Sequence, residues 1–311
     1  MERNLYYRVK PSWWPFLTTL CLLSMALGLV TALSGDFDGV VVMGLAALCL
    51  ICCLSMWWRD LLREGDQGYH SKKVIKNFRD AMAMFIASEV MFFVSFAWAF
   101  FHSSLAPDIE VSGTWPPVGV RVPWCFGVPF VNLWILLTSG GFMNVALGKV
   151  RCRDYDHWSL LCLFVAIVLG VVFLFLQFKE YRINSFTISD GIYGSTFYML
   201  TGFHGAHVVG GLTFMVVTFM RLWFGHFLSD RCFGMVACAW YWHFVDIVWI
   251  GVWVFYYFWG GGLIFNFWYN YWEGDVWWTK EYMNPEVWCD NDPKAWEIEL
   301  LNDLSYVWLF P

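Results

Sequence analysis

The sequence predicts an all-α integral membrane protein that crosses a bilayer seven times. Of its 311 residues, 59% are hydrophobic and only 14% are charged. A soluble globular domain carries roughly 25% charged residues, so this composition excludes an ordinary soluble fold. In addition, apolar runs close to the ~20 residues that a helix needs to span a bilayer recur along the chain. Composition and run length together therefore predict a bundle of transmembrane helices.

The seven apolar runs are separated by short segments rich in polar residues, glycine or proline. At 32 residues, the sixth run is longer than a straight crossing needs, so we expect its helix to tilt or to extend into water. The predicted spans are Trp13–Leu33, Val40–Trp58, Asp80–Ser104, Val128–Leu147, Trp158–Phe178, Tyr193–Phe224 and Phe233–Trp259.

Lysine and arginine are distributed unevenly between the two sides that seven crossings create. The N-terminus and the loops after the second, fourth and sixth spans carry fourteen of these residues, whereas the opposite side carries five. Positively charged loops favour the inside of the membrane into which a protein is inserted. The asymmetry therefore predicts an inside N-terminus and an outside C-terminus.

A C-terminal extension follows the last predicted span. We divide the chain into a membrane domain over residues 1–262 and an extension over residues 263–311. The extension contains nine acidic residues, two lysines and aromatic runs such as Phe267-Trp268-Tyr269. Its aromatic content is too high for an ordinary disordered segment. We expect a partly ordered arm on the outside that packs against a neighbouring subunit.

Glu89 lies nine residues into the third predicted span. At 1.5 Å per residue, this position is near the middle of the bilayer. An ionisable side chain at that depth has a high free-energy cost, so we expect it to have a specific role or a specific partner. One interpretation is a carboxyl that handles protons or binds an ion. The other is a protonated acid that is hydrogen-bonded to a neighbour or to a lipid.

A second polar group comprises His204 and His207 in the sixth span and His243 and Asp246 in the seventh. Residues three apart on a helix share a face, which applies to both pairs. Three histidines could indicate a metal or haem site, but no cysteine or carboxylate cluster flanks them. A polar seam between spans six and seven, held by side-chain hydrogen bonds, is the alternative. The sequence favours this structural cluster and no bound metal.

A third polar group lies at the predicted inside surface, next to the end of the second span. Aromatic residues beside arginines at a membrane border suit phospholipid head groups. Anchoring by positive charge alone is an equally good interpretation from these residues. The group comprises Trp57, Trp58, Arg59, Asp60, Arg63, Glu64 and His70.

Several other classes of function lack their motifs in this sequence. It contains no phosphate-binding loop, no G-x-S-x-G nucleophile turn and no dinucleotide fingerprint. The ten cysteines include one C-x-x-C spacing, Cys49 to Cys52, which lies within an apolar run, and no second such pair that would complete a zinc site. We therefore expect packing cysteines, no nucleic-acid partner and no active site of the soluble-enzyme type.

Over about residues 8–260, the chain resembles subunit III of mitochondrial cytochrome c oxidase, in the haem-copper oxidase subunit III family. The likeness rests on seven motifs that occur in one order. They are Trp57-Trp58-Arg59-Asp60, Ser88-Glu89-Val90, Phe101 to Pro107 (FHSSLAP), Trp115-Pro116-Pro117, Phe186 to Phe197 (FTISDGIYGSTF), Thr201 to Val208 (TGFHGAHV) and Ala239 to Trp249 (AWYWHFVDIVW).

This resemblance implies a fold and a location. The family folds as two helices, here about residues 13–58, and five helices, here about residues 78–260, on either side of a V-shaped cleft filled with lipid. The implied location is the mitochondrial inner membrane, with the N-terminus in the matrix and the C-terminus in the intermembrane space. The usual family chain ends near Trp259-Gly260, so the extension has no counterpart.

The resemblance also implies partners and site residues. The expected partners are subunits I and II, which hold haem a, haem a3 and copper, together with phospholipids. For the extension, which has no counterpart in the family, we separately predict contact with accessory subunits. Glu89 corresponds to a buried carboxyl that faces the lipid cleft. The positions implied to bind lipid head groups are Trp58, Arg63, Glu64, His70 and Arg221.

Two departures from the family pattern limit what can be carried over. The usual Trp-Ala-His-His run is replaced by Val145-Ala146-Leu147-Gly148, and a frequent glutamate is replaced by Val236. Contacts made from those positions are therefore not expected here.

Three functions follow from these observations. The first is a non-catalytic subunit of cytochrome c oxidase that binds phospholipids and stabilises subunit I during O2 reduction and proton pumping. The second is an independent proton-coupled transporter that uses Glu89 with the pair His243 and Asp246, although no broken helix or inverted repeat is evident. The third is a haem-binding redox subunit. The resemblance favours the first.

Overall fold

A computed structural model describes residues 11–109, 113–117, 119–152, 157–227 and 232–261. The described residues form seven long helices and no strand. All seven are long and apolar enough to cross a membrane, which confirms the predicted all-helical class and the number of spans. The helices are α1 Trp14–Leu33, α2 Phe37–Asp66, α3 Lys72–Leu105, α4 Val128–Arg151, α5 His157–Ile183, α6 Ile192–Trp223 and α7 Phe233–Val252, which continues as a π-helical segment, Trp253–Trp259. The extension over residues 263–311 lies outside the described residues.

Several helices are longer than the apolar runs from which they were predicted. α2 continues from Trp58 to Asp66, and α3 begins at Lys72 rather than at Asp80. Hydrophobicity marks only the part of a helix that must lie in hydrocarbon. The backbone hydrogen bonds of a helix are internal, so a helix can continue into water through polar residues.

The chain divides into two compact units, Met1–Met82 and Ala83–Pro311, here called unit 1 and unit 2. Unit 1 contains α1, α2 and the first residues of α3. α1 and α2 form an antiparallel pair joined by a tight turn, in which Gly35 has φ +90° and Asp36 caps α2 by accepting from the backbone N–H of Asp38 at 3.1 Å.

Two glycines allow α1 and α2 to approach closely. A Cβ atom on Gly28 would lie 2.8 Å from the backbone nitrogen of Met43, and one on Gly39 would overlap Thr31 and Ala32. Small residues at a helix–helix contact in a membrane permit packing of backbone against backbone, where lipid provides no hydrophobic driving force. The pairing of α1 with α2 therefore depends on these two positions.

Unit 2 contains the rest of α3 together with α4–α7. Its core is aromatic, and the largest fully buried side chains include Trp242, Trp249, Tyr256 and Tyr257. The Trp242 indole lies against Gly170 of α5 and Gly211 of α6, where a Cβ would come within 2.9 and 2.7 Å of its ring. Bulky rings on α7 thus fill space that small residues leave on the neighbouring helices.

Candidate functional site

Glu89 lies on α3 and is paired with His207 on α6, within unit 2. Oε2 of Glu89 is 2.9 Å from Nε2 of His207, and the two side chains are 24% and 16% exposed. Nδ1 of His207 lies 2.7 Å from the carbonyl oxygen of Phe203. Because a carbonyl can only accept, Nδ1 carries a proton and donates it.

This geometry limits where the protons of the Glu89–His207 pair can lie. When His207 is neutral, its only proton is on Nδ1, so Nε2 accepts and Glu89 must be protonated to donate. When His207 is cationic, Nε2 donates to a Glu89 carboxylate. Both forms hold the same number of protons and carry no net charge. In either form, one hydrogen bond of 2.9 Å joins Nε2 of His207 to Oε2 of Glu89.

Aromatic rings surround the pair. The ring of Phe93 packs edge-on against His207 with centroids 5.0 Å apart, and Tyr241 stacks on the other side at 6.4 Å. Phe92 also approaches, at 6.3 Å. An apolar shell weakens competition from water and strengthens the hydrogen bond. The sequence located Glu89, but nothing in it indicated His207 as the partner.

His204 has partners of its own. Nε2 lies 3.2 Å from the carbonyl oxygen of Val245 on α7, and the ring packs at 5.0 Å from Trp249. His204 is therefore part of the predicted seam between α6 and α7. Although His204 and His207 share a helix face, they do not converge on a common point. Across the part of the chain that the structure describes, no three histidine, cysteine or acidic residues are grouped to hold a metal ion.

His243 and Asp246 form a pair that faces α4 rather than α6. Nδ1 of His243 is 3.4 Å from Oδ2 of Asp246, and Nε2 lies 2.8 Å from Oδ1 of Asn144 on α4. Asp246 is only 5% exposed, whereas His243 is 34% exposed. A Cβ on Gly140 would lie 2.5 Å from Oδ2 of Asp246, so only glycine leaves room for this carboxyl. No sequence pattern indicated that Asn144 or Gly140 contributes to this pair.

In unit 1, Asp60 organises the polar end of α2. Its carboxyl accepts a hydrogen bond from Nε1 of Trp14 at 2.9 Å and forms an ion pair with Arg59 at 3.0 Å. Arg63 lies 3.9 Å from the same carboxyl. The Trp58 side chain is 56% exposed. Of the predicted group, Arg59 and Arg63 lie near Asp60, and the side chains of Trp58 and Arg63 are exposed.

His70 lies in the short link between α2 and α3 and is partly buried. Its ring lies over Gly65, whose Cβ would be 3.0 Å from Nδ1, and packs edge-on against Phe78 at 5.2 Å. Burial lowers the pKa of His70, and the nearby Glu64 and Asp66 carboxylates oppose the change. Glu64 therefore acts on His70 through charge.

Arg221, the fifth predicted lipid contact, lies in the last turn of α6 in unit 2. Its guanidinium is 4.4 Å from the centre of the Phe227 ring, a cation–π distance. A Cβ on Gly234 would come within 2.7 Å of Nη1. The guanidinium is therefore positioned between a ring and a glycine at the end of the helix.

Other buried polar contacts were not anticipated from the sequence. Ser139 on α4 donates to the carbonyl of Ala166 at 2.9 Å and accepts from Nε1 of Trp242 at 3.0 Å. Tyr257 donates to Glu180, a fully buried acid that lies just beyond the predicted end of the fifth span. For the contact between Tyr257 and Glu180, the only signal in the sequence was the acidic residue next to the fifth apolar run.

The fold and these contacts define a polytopic α-helical membrane protein in which several polar residues join one helix to another. The model of the family described as cytochrome c oxidase subunit III matches residues 4–261. The chain belongs to the cytochrome c oxidase subunit III family. Family membership implies association with the other subunits of the oxidase, and with the seven apolar helices it supports a multi-pass protein of the mitochondrial inner membrane.

The relatives are similar over almost their whole length. Cytochrome c oxidase subunit 3 of Canis lupus familiaris is 45% identical over 260 residues, which cover 83% of this chain and 98% of that protein. The corresponding protein of Chondrus crispus is 42% identical over 264 residues, covering 84% and 96%. That of Hippopotamus amphibius is 44% identical over 261 residues, covering 83% and 98%. The resemblance found in the sequence is thereby confirmed.

Proposed function

We propose that the chain is a non-catalytic core subunit of cytochrome c oxidase that binds phospholipids and stabilises subunit I during O2 reduction and proton pumping. The single observation that carries the proposal is the match to the subunit III family over residues 4–261. In this assignment haem a, haem a3 and copper belong to partner subunits. This chain contributes packing surfaces and lipid contacts.

The lipid-binding part of the proposal rests on unit 1. At the end of α2, the Trp58 ring is exposed beside Arg63, whose side chain is 65% exposed. A guanidinium presents a planar fork of donors that suits a phosphate group, and an interfacial indole suits the boundary between head group and acyl chain. Asp60 restrains Arg59 at 3.0 Å, while Arg63, 3.9 Å away, is less tightly paired and is the better phosphate ligand. Glu64 and His70 lie beside this surface.

Arg221 is a separate candidate for a head-group contact in unit 2. Its stacking on Phe227 orients the guanidinium. We include it in the proposed lipid-binding set on that basis and on its position at the end of α6.

The proposed topology places the N-terminus in the matrix and the C-terminus in the intermembrane space, following the bias of lysine and arginine. The acidic extension over residues 263–311 would then contact accessory subunits on the outer side. The proposed division at residue 262 is supported by the end of the family match at residue 261.

The first test is native purification of the oxidase through a tag on this chain. We expect subunits I and II, haem a absorbance and retained phospholipid to copurify. Oxidase from which the chain has been removed should lose activity faster during turnover. Full and durable activity without the chain would contradict the stabilising role.

The lipid contact is tested by Arg63→Ala, with Arg182→Ala as the matched control. Arg182 is also an exposed arginine near a helix end, but it lies at the end of α5 in unit 2. We expect a several-fold loss of tightly bound phospholipid, measured by mass spectrometry, in the first variant only. Equal lipid content in both variants would exclude Arg63 as a ligand.

The transporter alternative is not favoured, since no described feature requires it. It predicts pH-driven flux through the purified chain in liposomes that Glu89→Gln abolishes. Membership of the subunit III family therefore favours an oxidase subunit over a transporter.

A further inference from the structure

A connected series of aromatic rings lies at the end of unit 2 where α4 begins and α7 ends. The centre of the Phe126 ring is 5.6–6.4 Å from the centres of four other rings. One of the four, Phe130, continues the series to Trp134 at 6.1 Å. We call these six residues the α4–α7 aromatic surface: Trp124, Phe126, Phe130, Trp134, Trp253 and Phe258.

Contacts between the rings and the backbone hold this surface together. Nε1 of Trp253, on the π-helical segment, donates to the carbonyl of Cys125 at 2.7 Å. The Trp253 ring also stacks on Phe258 at 5.7 Å and lies 5.6 Å from Phe130. The residues before α4 are therefore joined to the π-helical segment, and the surface is a defined part of the fold.

Three of these side chains are about half exposed among the described residues. Trp124, Phe126 and Trp134 are 47%, 45% and 55% exposed. Trp134 lies within the fourth span, where lipid can cover it. Trp124 and Phe126 come before Val128, at which α4 begins, and so lie outside that span. Contiguous exposed apolar surface marks a site of interaction, so we expect these two rings to be covered by something other than the hydrocarbon around the span.

The C-terminal extension starts at the edge of this surface. The last described residue of the chain is Gly261, three residues after Phe258. A Cβ on Gly261 would lie 3.6 Å from Cγ1 of Val122, which is two residues before Trp124. The segment that follows Gly261 therefore begins beside the exposed rings.

The first part of the extension differs in composition from the rest. Residues 263–272 (LIFNFWYNYW) carry no charge, and six of the ten are aromatic. All nine acidic residues of the extension follow, beginning with Glu273. Tyrosine and tryptophan favour the boundary between hydrocarbon and water, and contact with apolar surface removes their rings from water. The composition of residues 263–272 thus suits the surface beside which they begin.

The first part of the extension is also long enough to cover the surface. An extended chain spans about 3.3–3.6 Å per residue, so ten residues reach up to ~33–36 Å. Along α4, the surface extends only from Val128 to Trp134, which is about 9 Å at 1.5 Å per residue.

We propose that residues 263–272 fold back onto the α4–α7 aromatic surface and cover Trp124 and Phe126. This inference deepens the proposed function of the extension and rests on it for the residues that follow. The uncharged aromatic part packs on its own chain, and the acidic part from Glu273 onward contacts accessory subunits.

The first test is a map of the intact oxidase in lipid. We expect side-chain density from residues 263–272 within about 4.0–4.5 Å of the Phe126 ring. An acyl chain, or a side chain of another subunit, in contact with that ring would overturn the proposal.

Hydroxyl-radical footprinting of two truncated chains in the assembled oxidase is an independent test. Truncation after Trp272 removes the acidic residues but keeps the covering segment, so oxidation of Phe126 should equal that in the full chain. Truncation after Gly262 removes the segment as well, so oxidation of Phe126 should rise several-fold. Phe178 is the control, because it is an exposed phenylalanine near the C-terminal end of α5 and should react equally in all three forms.

The footprints distinguish the proposed cover from other occupants. A rise already present after truncation at Trp272 would assign the cover to a subunit held by the acidic residues. No rise after truncation at Gly262 would assign it to lipid. Either result would overturn the proposal, as would a rise that accompanies loss of a subunit retained by the longer chain, measured by mass spectrometry of the same preparations.

Failure of this inference is distinguishable from failure of the oxidase assignment. Copurification of subunits I and II tests that assignment and does not depend on where residues 263–272 pack. If a truncated chain does not assemble, the map of the unaltered oxidase decides.

Discussion

At the scale of single residues, several polar side chains in the membrane spans are explained by one particular partner. Glu89 is tolerated inside unit 2 because His207 completes its hydrogen bond at 2.9 Å. The spacing of residues along the chain predicted that Glu89 lies near the middle of the bilayer, but its partner lies 118 positions away in sequence. Sequence patterns report which face of a helix a residue occupies and not which residue it meets.

The Glu89–His207 pair predicts different outcomes for two substitutions. Glu89→Gln retains a donor for Nε2 of His207, so the stability of the assembled complex should change little. Glu89→Leu leaves Nε2 without its partner and should cost about 1–3 kcal/mol. Thermal unfolding of the purified complex measures both. If the two variants were equally stable, the hydrogen bond would contribute nothing.

Gly140 provides a sharper test of the His243–Asp246 pair. In Gly140→Ala the new Cβ would lie 2.5 Å from Oδ2 of Asp246, so the buried carboxyl must move. We expect a loss of about 1–3 kcal/mol, as for overpacking elsewhere. The neighbouring Gly141→Ala is the control, because its Cβ would have nothing within 4 Å. Equal stability of the two variants would contradict the packing.

His70 predicts a pH dependence for the stability of unit 1. Its folded-state pKa is lowered by burial, so between that value and the ordinary value near ~6.5 the unfolded chain binds more protons. Stability should therefore fall as the pH falls through this window. Denaturation of the complex between about pH 5 and pH 7 measures the slope, and His70→Gln should flatten it. An unchanged slope in the variant would assign the effect to another group.

At the scale of helices, all seven helices were predicted from the sequence, but several of the predicted ends were wrong. The spans were predicted from apolar runs, and α2 and α3 extend past those runs through charged residues. The π-helical segment Trp253–Trp259 was not predicted, because its residues are as apolar as those of a regular helix. A backbone distortion of this kind is determined by packing against other elements.

The pairing of α1 with α2 gives a prediction at this scale. Gly28→Ala should loosen the hairpin, since the Cβ would lie 2.8 Å from the Met43 nitrogen and 2.9 Å from the Gly39 oxygen. Gly44→Ala, with nothing within 4 Å, is the control and should be neutral or slightly stabilising. Accelerated proteolysis of the hairpin in the first variant alone is the expected result. Identical proteolysis would show that close approach is unnecessary.

At the scale of the whole molecule, the chain combines a domain that matches the family with an extension that lies beyond that match. The match covers residues 4–261, and the relatives are covered over 96–98% of their length. The remaining residues of this chain are therefore additional to the shared domain. Their acidity and aromatic content suit a contact with another subunit more than a second membrane domain.

Truncation after Gly262 tests the role of the extension. We expect subunits I and II to remain bound and one or more accessory subunits to be lost, as measured by mass spectrometry of the native complex. Steady-state kinetics at several salt concentrations test an additional attraction of basic cytochrome c to the acidic surface. Unchanged composition and unchanged salt dependence would refute both roles.

The sequence alone determined the membrane class, the seven spans and the family, because hydrocarbon thickness fixes the length of each span and the motifs occur in one order. Only the tertiary structure decided which helices share a polar contact. Glu89 meets His207, His243 meets Asn144, and Asn132 meets Gln177. The physical reason is that helical periodicity defines the face of each residue, whereas the neighbouring helix is selected by packing between segments far apart in the chain.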